Sequence, residues 1–251
     1  MVKLNRNSFF LVTTILVTSI FFFVIINKSS NYIPTAYEKE LIDYFKEIAL
    51  QSEYDDNPQK VIKWKEPMLL YVIKEKEFKP QMSVIKKAID SINKLATDGF
   101  KIVLTEKKSN SNAILYLCNK QKVAELNQYF YKLLTKDIDY EISGLAYSEF
   151  ITEKCIIDKT LIFINSEDSF NIQKSAILEE ITQSLGLAFD SNKYPNSIFY
   201  KNKHEKEIRI KEYSQLDRDV VRLLYHTKMK PGLDSIQVEK VIKKILKSEK
   251  D

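Results

Sequence analysis

The sequence predicts an α+β domain, a mixed β-sheet with helices packed on it, held behind an N-terminal membrane-spanning helix. Three observations lead there. Stretches with strand character and stretches with helical period follow one another as helix, strand, helix, strand, strand, helix or loop, strand, strand, helix. The 251 residues are 44% hydrophobic and 29% charged, enough for one substantial core and short for two. Residues 8–26 form an uncharged run that as a helix spans roughly 28 Å at ~1.5 Å per residue, enough to cross a bilayer.

Residues 1–7 are a basic end, with Lys3 and Arg6. A cleavable signal peptide is the competing reading of residues 8–26, but its apolar region is usually about 7 to 15 residues and ends in a small-x-small site. Here the run is longer and passes into NKSSNYIP. It reads as an uncleaved signal anchor, and Lys3 and Arg6 outweigh Lys28, which puts the rest of the chain outside the cytoplasm, at a cell surface or in a periplasm. Residues 27–35 are a polar tether. Beyond it lie a domain over 36–234 and a Lys-rich helix over 235–251.

Each element rests on its pattern. From Ala36, AYEKELIDYFKEIALQSEY sets Leu41, Tyr44, Phe45, Ile48 and Ala49 on one stripe, a helix. DDNPQ breaks it, and VIKWKEPMLLYVIKE alternates and then runs apolar, as a core strand does, with Trp64 at its edge. A second amphipathic helix over 82–96 stops at Asp98-Gly99. The strands FKIVLT and AILYLC follow, joined by EKKSNSN. Then come a helix candidate over 123–134, a strand or edge segment at EISGLAY and a buried strand at TLIFIN. In EISGLAY, Gly144 reads as a bulge or turn residue. LDRDVVRLLYH (216–226) is helical, and 235–247 is a Lys-rich amphipathic helix.

Charge and cysteines narrow the partners. Without Lys3 and Arg6 the net charge of +5 falls to +3, spread over many Lys and Glu residues, which makes no case for nucleic acid. Proximity to an anionic membrane surface accounts for it equally well. Cys118 and Cys155 are the only cysteines, so an exported chain either forms one bridge or keeps two buried thiols.

The chain is organised around AILEEITQSLGLAFD, residues 176–190. Ile177, Leu178, Ile181, Leu185 and Leu187 have helical spacing, and Gly186 stands where a helix stops on a left-handed residue. Glu179 and Gln183, four apart, share a face with Glu180 beside them. This is the layout of a zinc-protease helix, in which His-Glu-x-x-His sets two imidazoles on one ion and a glutamate beside its water. Glu179 takes the first ligand place, Glu180 the general-base place, Gln183 the second ligand place and Phe189 the third, next to Asp190.

Two further blocks make the likeness specific. SIFY (197–200) resembles the Ala-Leu-Met-Tyr turn beneath the zinc of matrixin-type metalloproteases, with Phe199 for the methionine, and LDRDVVRLLYH resembles their final helix. The series EEITQSLGL, YPNSIFY, LDRDVVRLLYHTKMKPG more closely resembles a bacterial family numbered 2927 among the domains of unknown function, itself similar to zincins and commonly carrying Glu-Glu-x-x-Gln.

The resemblance implies a zincin-like fold, with EISGLAY as the edge strand on which such enzymes lay extended peptides. The ligand places imply loss of zinc and no cofactor: Gln183 offers a neutral amide and Phe189 nothing, while His204 and His226 have no His-x-x-x-His partner. The expectation is a membrane-tethered, extracytoplasmic pseudo-metallopeptidase that binds an extended peptide or protein, with Glu179, Gln183 and Asp190 as degenerate cleft positions. The rival is a noncanonical peptide hydrolase with Glu180 as general base.

Overall fold

The computed structural model describes residues 32–51, 59–136, 141–201 and 210–250. The chain divides into Met1–Pro34 and Thr35–Asp251, and the fold is that of the second unit. The expected anchor at 8–26 lies outside the described residues. Among those described, no helix is long and apolar enough to cross a membrane.

The elements run α1 (Ala36–Leu50), β1 (Lys63–Trp64), β2 (Met68–Lys74), α2 (Lys79–Leu95), β3 (Ile102–Leu104), β4 (Ala113–Cys118), α3 (Lys120–Leu126), α4 (Gln128–Thr135), β5 (Gly144–Ile151), β6 (Ile156–Asn165), α5 (Phe170–Gln183), α6 (Gln215–Leu224) and α7 (Ser235–Ser248). The sheet is mostly parallel, a mixed α/β arrangement: β3, β2, β4 and β6 lie side by side in parallel, and β5 runs antiparallel along the other edge of β6. β1 adds a short parallel pairing at the start of β6.

Two expectations need correction. VIKWKEPMLLYVIKE is two strands: Pro67 lacks the N–H that a continuous ladder needs, and β1 and β2 join different partners. FKIVLT and AILYLC are consecutive in sequence but not neighbours, because β3 pairs with the first half of β2 and β4 with the second half on its other side. Leu104 and Ala113 thus face Leu70 from opposite flanks, and the loop between them crosses one strand without running its length. The single helix expected over 123–134 is two, since the side chain of Asn127 caps α4 by accepting from Phe130 N at 3.0 Å.

The β5–β6 hairpin turns at Thr152–Cys155, with Cys155 at φ 53°. Cys118 is level with Asn165 at the far end of β6, whereas Cys155 immediately precedes its first residue. About ten residues at ~3.3 Å each put them some 30 Å apart, against a limit near 7 Å for a disulfide. Both are free, buried thiols.

Side-chain alternation builds two cores on the sheet. Tyr116, Cys118, Leu161 and Phe163 point to α3 and α4, where they meet Val123, Phe130 and Leu134. Ile162 and Ile164, on the opposite face, are also fully buried. α5 packs on β5, β6 and α2, and α6 joins α2 to a further layer of α1 and α7. Buried Gln173 on α5 stitches this side together: its Nε2 donates to the carbonyls of Asn165, Ser166 and Asp168, and its Oε1 accepts from Gln81 on α2 at 2.6 Å.

Candidate functional site

α5 is buried along most of its length because sheet and helices cover it on several sides, and its two carboxylates are enclosed with it. Glu179 and Glu180 are each 6% exposed, whereas Gln183, Phe189 and Asp190 are half-buried. The structure brings Gln183 and Asp190 together, Gln183 Nε2 donating to Asp190 Oδ1 at 3.0 Å. The amide that stands at the second ligand place is therefore engaged within the chain.

Glu180 packs against the edge strand. A Cβ built on Gly144 would meet Glu180 Oε1 at 2.6 Å and Cγ at 2.7 Å. Gly144 is the first residue of β5, in register with Ile164, and the register shift in this strand falls later, between Glu149 and Phe150. The expectation of a bulge or turn glycine is thus corrected: the glycine makes room for the carboxylate on the helix behind it. Among the described residues no strand pairs with the outer edge of β5, whose residues are half-buried as far as Phe150.

The helix ends as the sequence predicts. Gly186 has φ 107°, and its N–H donates to Gln183 O at 3.0 Å. A Cβ there would stand 1.9 Å from Ile62 O, so the glycine is demanded by conformation and by the close passage of the chain entering β1. The last carbonyls of this turn have donors that sequence reading missed. Trp64 Nε1 donates to Ser184 O at 2.8 Å, and Tyr225 OH donates to Leu185 O at 2.9 Å. Trp64, the last residue of β1, is fully buried. Tyr225 stacks on Phe100 with centroids 4.1 Å apart, and the Lys63 ammonium lies 4.5 Å from its ring centre. Lys63, itself buried, donates to Leu224 O and to Asp98 Oδ2 at 2.7 Å; burial lowers its pKa and Asp98 opposes the shift.

The turn at Ser197–Tyr200 is pinned from below by Asp217, a fully buried carboxylate in the first turn of α6. It accepts from Ser197 Oγ at 2.7 Å, Tyr44 OH at 3.1 Å, Ser214 N at 2.8 Å and Ile198 N at 3.3 Å. Tyr44 and Ser197 also bond each other directly. Burial, then the Asp217 charge, pushes the Tyr44 phenol far above its ordinary value. Phe199 is fully buried. The signal for Asp217 was available as Ser214-Gln-Leu-Asp217, a capping box, and both of its bonds are made.

His226 is half-buried, its Nδ1 accepting from Lys228 N at 3.0 Å, and burial and then Lys228 hold its pKa below the ordinary value. His204 lies outside the described residues. Among those described, no three His, Cys, Asp or Glu side chains are grouped as a metal centre requires. The enclosed carboxylates, the edge strand, the pinned turn and the final helix all fall within one stretch of chain, and a family model described as "Protein of unknown function (DUF2927)" matches residues 38–244. The chain belongs to this family. The match runs from the first turn of α1 into α7 and so covers every element of the sheet. No curated protein matches the chain.

Proposed function

We propose that this protein is a membrane-tethered, extracytoplasmic domain of zincin-like ancestry that binds an extended peptide or protein partner and does not hydrolyse peptides through zinc. The observation that carries the reading is the chemistry of α5. Of the three ligand places on and just after it, Gln183 gives its amide to Asp190, Phe189 has no donor atom, and Glu179 is enclosed. A tetrahedral zinc site draws on imidazole, thiolate and carboxylate ligands, and these residues do not fit it. A water-activating base needs a path for water and substrate, and Glu180 is 6% exposed against Gly144. Its place supports a structural role under the edge strand.

What supports binding is β5, an eight-residue strand at the sheet margin along whose outer side no described strand pairs. The enclosure of Glu179 and Glu180 moves the expected contact away from the carboxylates and onto that outer edge. The anchor over 8–26 supplies the membrane tether and the location. Amide exchange in the presence of a library of extended peptides tests the reading. Binders should slow exchange along residues 144–151. Peptide binding that protects only segments away from β5, or no binding across the library, counts against it.

A further inference from the structure

We propose that the Lys-rich face of α7 is a membrane-apposed surface that binds anionic lipid headgroups and holds the domain down on its own bilayer; the inference rests on the tethered reading above. Ile236, Lys240, Lys244 and Lys247 follow at helical spacing and share one side of α7, over about 16 Å of helix at ~1.5 Å per residue. All four are exposed, Ile236 at 68%. The opposite side, Val238, Ile242, Ile245 and Leu246, is buried in the domain.

The carboxylates nearby do not neutralise this ridge, because they serve other cations. Glu239 pairs with Lys46 and Lys243, Glu249 with Arg222, and Glu38 with Lys250. No ion pair among the described residues includes Lys240, Lys244 or Lys247. Lys228 adds a further exposed cation at the same end, its ammonium bonding Ser248 Oγ at 3.0 Å. α7 has no aromatic side chain to stack on a base, and one exposed isoleucine suits the headgroup boundary better.

Geometry identifies the occupant. Lys250, just past α7, pairs at 2.8 Å with Glu38, whose other carboxylate oxygen accepts from the backbone N–H of Thr35 at 2.7 Å. The lysine-rich end of α7 is thus fastened to the residue at which the chain enters the domain. The tether of residues 27–35 reaches at most about 30 Å when extended. Electrostatic attraction fades over roughly 8 Å at physiological salt, so a cationic face acts on a bilayer only when it is held close. This one is placed at the entry point.

Co-sedimentation of the compact unit, residues 35–251, with vesicles of phosphatidylcholine alone or with 30% phosphatidylglycerol tests the ridge. Binding should require the anionic lipid and weaken steeply between 0.05 and 0.5 M salt. The triple variant Lys240→Gln, Lys244→Gln, Lys247→Gln should bind on the order of 100-fold more weakly, while the triple Arg variant binds as the parent does. Equal binding to both vesicle types, an unaffected Gln variant, or a DNA duplex bound as tightly as the anionic vesicles overturns the proposal. Carbonate extraction of the full chain from membranes reads the anchor separately. Release there refutes the tether whatever the ridge does.

Discussion

Replacing Gly186 by alanine probes the passage between α5 and β1, on which the arrangement of the site depends. Two costs add. The residue sits at φ 107°, where a side chain is strained by about 1 kcal/mol or more. The new Cβ also falls 1.9 Å from Ile62 O, where ordinary contact begins near 3.4 Å, so the backbone leading into β1 must retreat by about 1.5 Å. That movement draws Trp64 away from Ser184 O, a hydrogen bond to a buried carbonyl contributing about 1 kcal/mol, and loosens the packing around it. The two terms sum to about 2 kcal/mol, or roughly 4–8 °C in melting temperature for a domain of this size. Gly99→Ala is the control: its φ is 97° but nothing lies within 4 Å of the added Cβ, so strain alone acts, about 1 kcal/mol. Urea unfolding of the two variants reads the difference, and equal destabilisation would refute the close-passage argument.

Three further outcomes follow from the same geometry. Gly144→Ala should cost about 1–3 kcal/mol by overpacking against Glu180, and Glu180→Ala in the same chain should recover more than 1 kcal/mol of it in a double-mutant cycle; strict additivity would show that the two do not touch. Trp64→Phe should cost about 2 kcal/mol in urea unfolding followed by circular dichroism, because Ser184 O is left without its donor in a buried place, and an unchanged midpoint would contradict that. Stability should fall as pH rises above about 10. Burial raises the phenols of Tyr44, Tyr213 and Tyr225, so the folded state keeps protons that the unfolded chain releases there, at about 1.4 kcal/mol per pH unit for each tyrosine. Burial also raises Tyr37, Tyr116 and Tyr194, and Lys63, lowered by burial, acts in the opposite sense only up to the ordinary lysine pKa, so the slope stays negative. Tyr225→Phe should make the slope less negative, and a flat profile between pH 9 and 11 would count against burial of these phenols.

The helices were legible because their stripes have one period and one reason: Leu41 to Ala49 on α1 and Val84 to Ile92 on α2 each cover a single face. Gly186 was legible because few other residues accept its conformation. Strand adjacency was not, since the place of β2 between β3 and β4 is settled by which half of β2 each strand meets, and nothing in FKIVLT or AILYLC encodes that choice locally. The site divided in the same way. Spacing along one helix predicted that Glu179 and Gln183 share a face, but the Gln183–Asp190 bond depends on the turn after Gly186. Gly144 was misread because its constraint comes from a side chain 36 positions away, on another element. The capping roles of Trp64, Lys63 and Tyr225 were not legible, since the carbonyls they cap belong to helix ends distant in sequence.

The proposed function is that of a module that binds without zinc hydrolysis, with Glu179, Gln183 and Phe189 at the ligand places. Its most direct test is the zinc content and peptidase activity of the purified exported domain after equilibration with zinc and removal of excess metal, measured alongside Glu180→Gln. Well below one zinc per chain and no peptide cleavage above background are expected in either protein. One zinc per chain together with peptidase activity that Glu180→Gln abolishes would contradict it.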